Sequence, residues 1–547
     1  MKRGLLSICA AACALAPVWP SLANEPIRIE QTADNGAAQH SVYLDALARL
    51  SKMIRHDADL RDFYARRGMH GYWTRGSRYN GEVDDFIDLI NDSWTHGLNP
   101  FSYHLEKIRA VLPFSDEESR AELEVLLSDA YLSYAQDLSG IRVNPAPFGS
   151  HRRFWQASMS TGYLLDLLDH DDDIEDVAAS FTPQGQTYQA LRKALYDVVA
   201  RGPETYESIL PIRIDGLLHP YEQHRAVPDL RIRFGLDGAG NDYTYDDRLA
   251  AAVMRFQRDR GLKADGVVGP VTLRVINETR KGRIYQLIAN LERLRWVPEH
   301  KPDKFVVVNI PSATLWAVDD GRLDFEMPVI VGRKKRPTNI FITDITGVRL
   351  NPTWTVPPTI KKEDILPKLV ANPDYLKNKG MTLVSGGEAV DSARVDWATV
   401  SAADLHGMQM VQTPGAHNPL GAVRVLMPNS YNIYLHDTNE KYLFDREALA
   451  VSSGCVRMKD PRRMAEFILD GKAGWTPARI DEVLARGALK DVFIDHPIPV
   501  YLVYYTAWVD AGGGVVFGND LYGYDDRLIK MLKDIDGLYV PVDNVRR

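Results

Sequence analysis

The chain has 547 residues, of which 45% are hydrophobic and 25% charged, and its formal net charge at pH 7 is −8. A chain of this length is too long for one hydrophobic core, so we expect two to four domains. The composition is that of an ordinary globular protein. The slight excess of acidic side chains gives no reason to expect nucleic acid as a partner.

The first residues have the pattern of a signal peptide. Two basic residues open the chain, residues 4–18 are apolar, and Ser21-Leu22-Ala23 offers the small residues that a signal peptidase reads. We therefore expect a signal peptide over residues 1–23 and export to the periplasm. An uncleaved anchor and a lipidated Cys13 are the alternatives. No other apolar run is long enough to span a bilayer.

Residues 35–215 are predicted to form a helical scaffold domain. Apolar residues recur there at helical spacing, as at Leu44, Leu47 and Leu50 and again from Leu123 to Tyr131. The segment contains no cluster of residues that suggests chemistry. Its aromatic residues are expected in the core.

Residues 225–280 are predicted to form a small three-helix unit. Leu249, Val253 and Phe256 share one helix face, and Pro270 is well placed to begin another helix after a turn at Asp265-Gly266. The run from Tyr245 to Leu273 resembles the small peptidoglycan-binding domain. The alternative is a helical spacer whose apolar residues only fill its own core.

Residues 303–525 are predicted to form a mainly β domain. Strand-like runs alternate with turns, as in the hairpin around Asp319-Asp320-Gly321-Arg322. An insertion over residues 358–420 interrupts this pattern. It is helical from about Glu363 to Leu369 and otherwise rich in Gly, Asp and Pro, and insertions of this length often form lids.

Cys455 is the single thiol that remains once a signal peptide containing Cys9 and Cys13 is removed. In an exported protein a lone cysteine is a buried hydrophobe, an intermolecular bridge or a nucleophile. His436 follows a predicted strand and offers a base that a loop could bring within hydrogen-bond distance of the thiol. Gly454 lets the backbone turn, so that the N–H groups of Gly454 and Cys455 could form an oxyanion hole. Arg457 could fix the loop or bind a substrate carboxylate.

Two short motifs resemble the signature of the L,D-transpeptidases, the family with a YkuD-type catalytic domain. They are Tyr434-Leu435-His436-Asp437-Thr438 and Ser452-Ser453-Gly454-Cys455-Val456-Arg457. Residues 351–358, 414–421 and 504–508 add to the likeness, and the order of domains is similar to that of the large periplasmic members. The resemblance implies a multidomain α+β protein with a YkuD-like sandwich. Ser453 departs from the family, in which many members carry His at this position.

The resemblance also implies roles for individual residues. Cys455 would be the nucleophile, His436 the proton donor and acceptor, and Gly454 part of the oxyanion loop, while the backbone carbonyl of Asp437 would orient the His436 ring. The expected substrate contacts are Arg457, Ser452, Ser453, Tyr434 and Trp354, although an aromatic core position is nearly as good a reading for the last two. No metal and no organic cofactor are expected, and carbapenems are expected to acylate the thiol.

The implied reaction joins two peptidoglycan stem peptides by a 3→3 cross-link through a thioester. The same thioester could instead pass to water, as in an L,D-carboxypeptidase, or to an amine of an envelope protein. A non-catalytic peptidoglycan-binding scaffold is an alternative of a different class. A papain-like protease is disfavoured because the base shortly precedes the nucleophile in a mainly β domain.

Overall fold

The computed structural model describes residues 35–75, 78–79, 81–114, 116–169, 173–201, 212–236, 243–259, 262–298, 301–446, 448–510 and 512–532. The predicted signal peptide, with Cys9 and Cys13, lies outside these residues. Within the described part of the chain, no helix combines the length and the apolar character needed to cross a bilayer.

The N-terminal helices pack around one helix, α5 (Glu117–Ser139), that is buried on nearly all sides. Its residues from Leu123 to Ala135 are all buried, with apolar side chains on several faces. The polar Glu124 and Asp129 are buried there because they accept hydrogen bonds from the backbone N–H groups of other segments. Asp116 caps its start by accepting a hydrogen bond from the Ser119 N–H. The helices are α1 (Asn35–Leu50), α2 (Asp57–Arg66), α3 (Glu82–Asn91), α4 (Leu105–Val111), α5 (Glu117–Ser139), α6 (Thr161–Asp169), α7 (Ile174–Phe181) and α8 (Gln186–Ala200), with a hairpin of β1 (Thr74–Arg75) and β2 (Arg78–Tyr79).

Three short helices form the second unit, namely α9 (Val227–Arg233), α10 (Asp247–Asp259) and α11 (Pro270–Ile276). Leu249 and Val253 are fully buried in a core of their own, and Phe256 lies at its edge, edge-on against Phe234. The α11 helix begins at Pro270, as the sequence predicted.

The long helix α12 (Arg280–Trp296) joins this unit to the β domain and packs against α8. Its Glu292 is fully buried and accepts hydrogen bonds from Arg142 (2.8 Å), Arg295 (2.7 Å) and the Trp296 indole (3.0 Å). Burial alone would raise the pKa of Glu292, but the two arginines lower it to about 2. The carboxylate therefore stays charged at neutral pH and ties α12 to the scaffold domain.

Replacing Glu292 with alanine should lower the free energy of unfolding by about 3–5 kcal/mol, because two buried guanidinium groups would lose their counter-charge. Urea titration of the two proteins would measure this difference. The matched control is Glu482→Ala, whose side chain is 44% exposed beside Arg479 and Arg486. That change should have little effect on stability, because ion pairs of exposed side chains contribute little. Equal effects of the two substitutions would contradict the predicted contribution of Glu292.

A nine-stranded sheet forms the body of the β domain. Its strands are β3 (Phe305–Asn309), β4 (Thr314–Asp319), β5 (Arg322–Gly332), β6 (Phe341–Leu350), β11 (Val423–Leu426), β12 (Leu435–His436), β13 (Ala450–Ser452), β14 (Val456–Met458) and β15 (Lys490–Val503). They lie in the order β13-β5-β14-β12-β11-β6-β15-β3-β4. An additional pairing of β4 with β5 closes eight of these strands into a ring around apolar side chains. Helices α17 (Pro461–Leu469), α18 (Pro477–Arg486) and α19 (Tyr524–Met531) and a hairpin of β16 (Ala507–Val509) and β17 (Val515–Phe517) complete it.

The insertion is a small unit with its own core. Its strands are β8 (Met381–Ser385), β9 (Glu388–Val390) and β10 (Met408–Gln412), and β7 (Trp354–Thr355), just before residue 358, joins them. The four strands lie in the order β7-β10-β8-β9 and pack on helices around Leu369, Trp397 and Met410. Its helices are α13 (Pro358–Ile360), a π-turn over Lys361–Ile365, α14 (Leu366–Ala371), α15 (Tyr375–Asn378) and α16 (Ala402–Gly407).

Candidate active site

The two motifs meet on neighbouring parallel strands. On β12 and β14, Leu435 pairs with Val456 and His436 with Arg457. Cys455 directly precedes β14, and the Val456 N–H donates to the Tyr434 carbonyl at 2.9 Å. Parallel pairing therefore places Cys455 two residues before Arg457, the residue that lies opposite His436 on the neighbouring strand.

The His436 ring is held in one tautomer. Its Nδ1 lies 2.5 Å from the backbone carbonyl of Asp437, and because a carbonyl only accepts, Nδ1 carries the proton. The side chain is buried, and burial, followed by the positive charge of Arg457, lowers the pKa of His436 to about 4. At neutral pH the ring is uncharged, and its Nε2, which has no hydrogen-bond partner among the described residues, can accept a proton.

The carboxylate of Asp437 secures the loop around the histidine and does not touch the ring. Its oxygens accept from the N–H groups of Ala422 (2.8 Å) and Thr438 (2.7 Å) and pair with Lys441 (2.6 Å). Gly421 has a positive φ of 59°, and a Cβ at this position would lie 2.3 Å from the Asp437 side chain. Only glycine fits this approach.

The thiol of Cys455 is half-buried and points toward the Asn432 carbonyl, which lies 3.7 Å from Sγ. Burial raises the pKa of Cys455, while the Tyr434 backbone, Arg424 and Arg457 act in the opposite direction. The sequence predicted a hydrogen bond between the thiol and His436. Among the described residues none joins them, because a protonated thiol here donates to the carbonyl. Such contacts often tighten only when substrate binds.

The loop before Cys455 is closed by Ser452. The Ser452 hydroxyl donates to the Cys455 carbonyl (2.6 Å) and accepts from the Gly454 N–H (3.1 Å). Gly454 has a φ of 118°, which favours glycine. The predicted pair of oxyanion donors therefore needs correction, since the Gly454 N–H is already engaged. Among the described residues the Cys455 N–H has no hydrogen-bond partner and remains free to donate.

Thr338 supports the same loop, and the sequence gave no signal of it. Its hydroxyl donates to the Gly454 carbonyl (2.7 Å) and accepts from the Gly332 N–H (2.9 Å). The Tyr522 hydroxyl accepts a hydrogen bond from the Thr338 N–H and donates one to the Gly332 carbonyl. Since these residues lie more than sixty positions from Cys455 in the sequence, no local motif could reveal them.

Three predicted substrate contacts have partners within the protein. Arg457 pairs with Glu440 at 2.6 Å, so its guanidinium already has an acidic partner within the chain. The Tyr434 ring lies under the guanidinium of Arg424, with 3.7 Å between the ring centroid and Cζ. Trp354 packs against the core of the insertion.

Ser453 is exposed and contacts an ion pair that joins the insertion to the loop of Cys455. Arg336 donates to the Ser453 hydroxyl (3.1 Å) and pairs with Asp364 (2.6 Å) and Glu363 in the insertion. The guanidinium is 13% exposed, whereas both acids are more open. One arginine thus links the insertion to the residue beside the thiol.

Replacing Arg336 with alanine should release the start of the insertion, because the contact to both acids and to Ser453 would be lost. We expect faster amide hydrogen exchange over residues 358–371. Stability should fall by about 1 kcal/mol or less, as is usual for partly exposed pairs. The control is Arg394→Ala, an arginine of the insertion that is 86% exposed and pairs within it with Asp391. Unchanged exchange in the Arg336 variant would contradict the proposed link.

Comparisons with known proteins identify three parts of the chain. Residues 303–480 match the family described as "L,D-transpeptidase catalytic domain", residues 58–195 the "Scaffold domain", and residues 232–276 the "Putative peptidoglycan binding domain". These matches confirm the resemblance and the fold class that the sequence predicted.

A curated protein from Haemophilus influenzae, described as "Putative L,D-transpeptidase", is 36% identical over 255 residues, which cover 46% of this chain and 51% of that protein. The chain thus spans about half the length of the curated relative that it matches. Two similar solved structures are L,D-transpeptidases. The structure from Mycobacterium smegmatis has 12% identity, coverage of 37% of this chain and 58% of that chain, and a TM-score of 0.18. The structure from Stackebrandtia nassauensis has 15% identity, coverage of 52% and 97%, and a TM-score of 0.17.

Proposed function

We propose that this chain, which carries an L,D-transpeptidase catalytic domain at residues 303–480, joins peptidoglycan stem peptides by 3→3 cross-links through a thioester on Cys455. The observation that carries the proposal is the His436 ring. Its Nδ1 proton is fixed on the Asp437 carbonyl, so its Nε2 is the free acceptor, on the strand next to the loop of Cys455. A thiol with a neutral base beside it is the arrangement that nucleophilic acyl transfer needs.

In the first half-reaction the donor is a stem tetrapeptide. His436 Nε2 takes the thiol proton as Cys455 Sγ forms a bond to the carbonyl carbon at the L-centre of diaminopimelate. The Cys455 N–H donates to the developing oxyanion. When the C–N bond breaks, His436 gives its proton to the departing amine, and D-alanine leaves. The product is a thioester.

In the second half-reaction a side-chain amine of diaminopimelate on another stem attacks the thioester. His436 accepts a proton from that amine, the new C–N bond forms, and the C–S bond breaks. The proton returns to the sulfur and restores the thiol. Protein groups supply every proton transfer in this scheme.

The other domains fit this substrate. A peptidoglycan-binding domain matched at residues 232–276 would hold the enzyme on its polymer, and we place the reaction in the periplasm, where that polymer lies. The same thiol is the group that we expect carbapenems to acylate.

Product analysis tests the proposal. The purified chain is incubated with disaccharide-tetrapeptides, and the products are identified by mass spectrometry. We expect 3→3 cross-linked dimers together with free D-alanine. If only tripeptides formed and no dimers, the thioester would be hydrolysed by water, and the protein would not be a transpeptidase. If the substrate were unchanged, the protein would be better explained as a non-catalytic scaffold that binds peptidoglycan.

A further inference from the structure

Four polar side chains form one row across the sheet of the β domain, and His436 is among them. Arg424 on β11 pairs directly with Arg349 on β6 and with His436 on β12. His436 in turn pairs with Arg457 on β14. Residues directly opposite each other on neighbouring strands project from the same face of the sheet. The row therefore carries an arginine on each side of the histidine.

Two of the three arginines in this row are neutralised by acids. Arg349 forms a bidentate pair with Asp491, with two contacts of 2.6 Å. Arg457 pairs with Glu440 at 2.6 Å. Each of these guanidinium groups already has the partner that its charge requires.

Arg424 differs from both. Among the described residues it forms no ion pair within 4.0 Å, and the nearby Asp491, which also acts on its charge, is bonded to Arg349. Its Nε is buried without a partner. The face of the group stacks on Tyr434, so a planar anion would have to meet it along its N–H edge. A buried donor without an acceptor costs about 1–3 kcal/mol, so this edge is suited to a ligand that supplies one.

The proposed reaction defines where such an anion must lie. His436 protonates the departing amine of D-alanine, and the carboxylate of that residue is bonded to the carbon that bears the amine. The cation that binds it must therefore be a neighbour of His436. In this row the neighbours of His436 are Arg424 and Arg457. The guanidinium of Arg457 already forms an ion pair with Glu440.

We propose that Arg424, stacked on Tyr434, binds the free carboxylate of the terminal D-alanine of the acyl donor. This inference rests on the proposed function and names the specificity residue of its donor site. A planar guanidinium and a carboxylate fit by two parallel charged hydrogen bonds. A donor whose terminal carboxylate is amidated or extended by another residue loses this pair and leaves the arginine unpaired. Arg424 thereby selects stems that end at D-alanine.

The test compares two tetrapeptide donors, one ending in D-alanine and one in D-alaninamide. The rate of release of the terminal residue gives kcat/KM for the full chain, for Arg424→Gln and for the matched control Arg349→Gln. We expect the unaltered chain to prefer the free acid by about 10- to 100-fold, the range for a hydrogen bond to a charged group. Arg424→Gln should bring this ratio close to one, whereas Arg349→Gln should keep it.

A second readout separates binding from activation of the thiol. Alkylation of Cys455 by iodoacetamide does not involve a donor carboxylate, so its rate should change little in Arg424→Gln. A loss of alkylation as large as the loss of donor turnover would show that Arg424 acts through the thiol and would overturn the proposal.

The remaining outcomes are also decisive. Equal rates for both donors with the unaltered chain, or an unchanged ratio in Arg424→Gln, would overturn the role of Arg424 while D-alanine release still supported the proposed function. Release from neither donor would contradict the proposed function and this inference with it. If the glutamine variant does not fold, the preference of the unaltered chain and its reduction in Arg424→Lys, which keeps the charge but lacks the planar fork, give the answer.

Discussion

Replacing Cys455 with alanine should reduce cross-linking and D-alanine release by at least about 1,000-fold, since loss of a covalent nucleophile removes the whole acyl-enzyme route. Among the described residues no other thiol can replace it, because Cys455 is their only cysteine. The same assay of dimers and free D-alanine measures the effect.

The folded structure should survive this substitution. The thiol is half-buried and makes one weak contact, at 3.7 Å, to the Asn432 carbonyl. We expect unchanged sedimentation with purified sacculi, since the peptidoglycan-binding domain has a hydrophobic core of its own. A folded alanine variant that still formed dimers would exclude the thioester and favour a different nucleophile. A variant that lost both binding and activity would indicate misfolding, and Cys455→Ser would then repeat the test.

Replacing His436 with glutamine should lower kcat/KM by about 100- to 10,000-fold, the usual contribution of a general acid–base group. The effect should fall on the chemical step, because the ring is buried and lies on the strand next to the loop of Cys455. The control is His496→Gln, which alters an exposed histidine of β15. That variant should keep the activity of the unaltered chain.

The pH profile gives a second test of His436. Only the neutral ring can take the thiol proton, so activity is present above the pKa of the ring and lost as pH falls through it. Burial and Arg457 lower that pKa to about 4, and the pKa of Cys455 is raised. We therefore expect kcat/KM to hold steady from neutral pH down to about 5 and then to fall with a midpoint near 4. An acidic midpoint at the ordinary histidine value of about 6.5 would contradict this account.

The sequence was sufficient to find the residues of the two motifs. His436 and Cys455 lie close together in the chain; His436 ends one short strand and Cys455 directly precedes another, so a single parallel pairing brings the two motifs onto neighbouring strands. The helical scaffold and the three-helix unit were also predictable, because their apolar residues repeat at helical spacing. The start of α11 at Pro270 was predictable from the local sequence, because proline is favoured at the first position of a helix.

The partners of those residues were not predictable from the motifs. Glu440 lies in the loop between the two motifs and forms an ion pair with Arg457. No pattern in the sequence indicated this pairing. The use of the Gly454 N–H depends on the rotamer of Ser452. Arg424 enters the site only through the register of β11 with β12. Strand order and register arise from packing across the whole sheet, and local pattern does not encode them.

The contact between the insertion and the site was likewise hidden. The sequence indicated an insertion of lid-like length but no point of attachment. Arg336, in the loop after β5, bridges Asp364 of the insertion to Ser453. Ser453, which departs from the expected histidine, is therefore held by an arginine that lies far from it in the sequence.

Mass spectrometry of the intact protein tests the central claim most directly. The chain is mixed with a stem tetrapeptide and quenched in acid within the first turnovers. We predict an adduct whose mass equals the tetrapeptide less D-alanine, attached at Cys455, released by hydroxylamine and absent from Cys455→Ala. The same adduct on the alanine variant, or cross-linked products formed while no adduct appears at any time on the unaltered chain, would contradict the thioester mechanism.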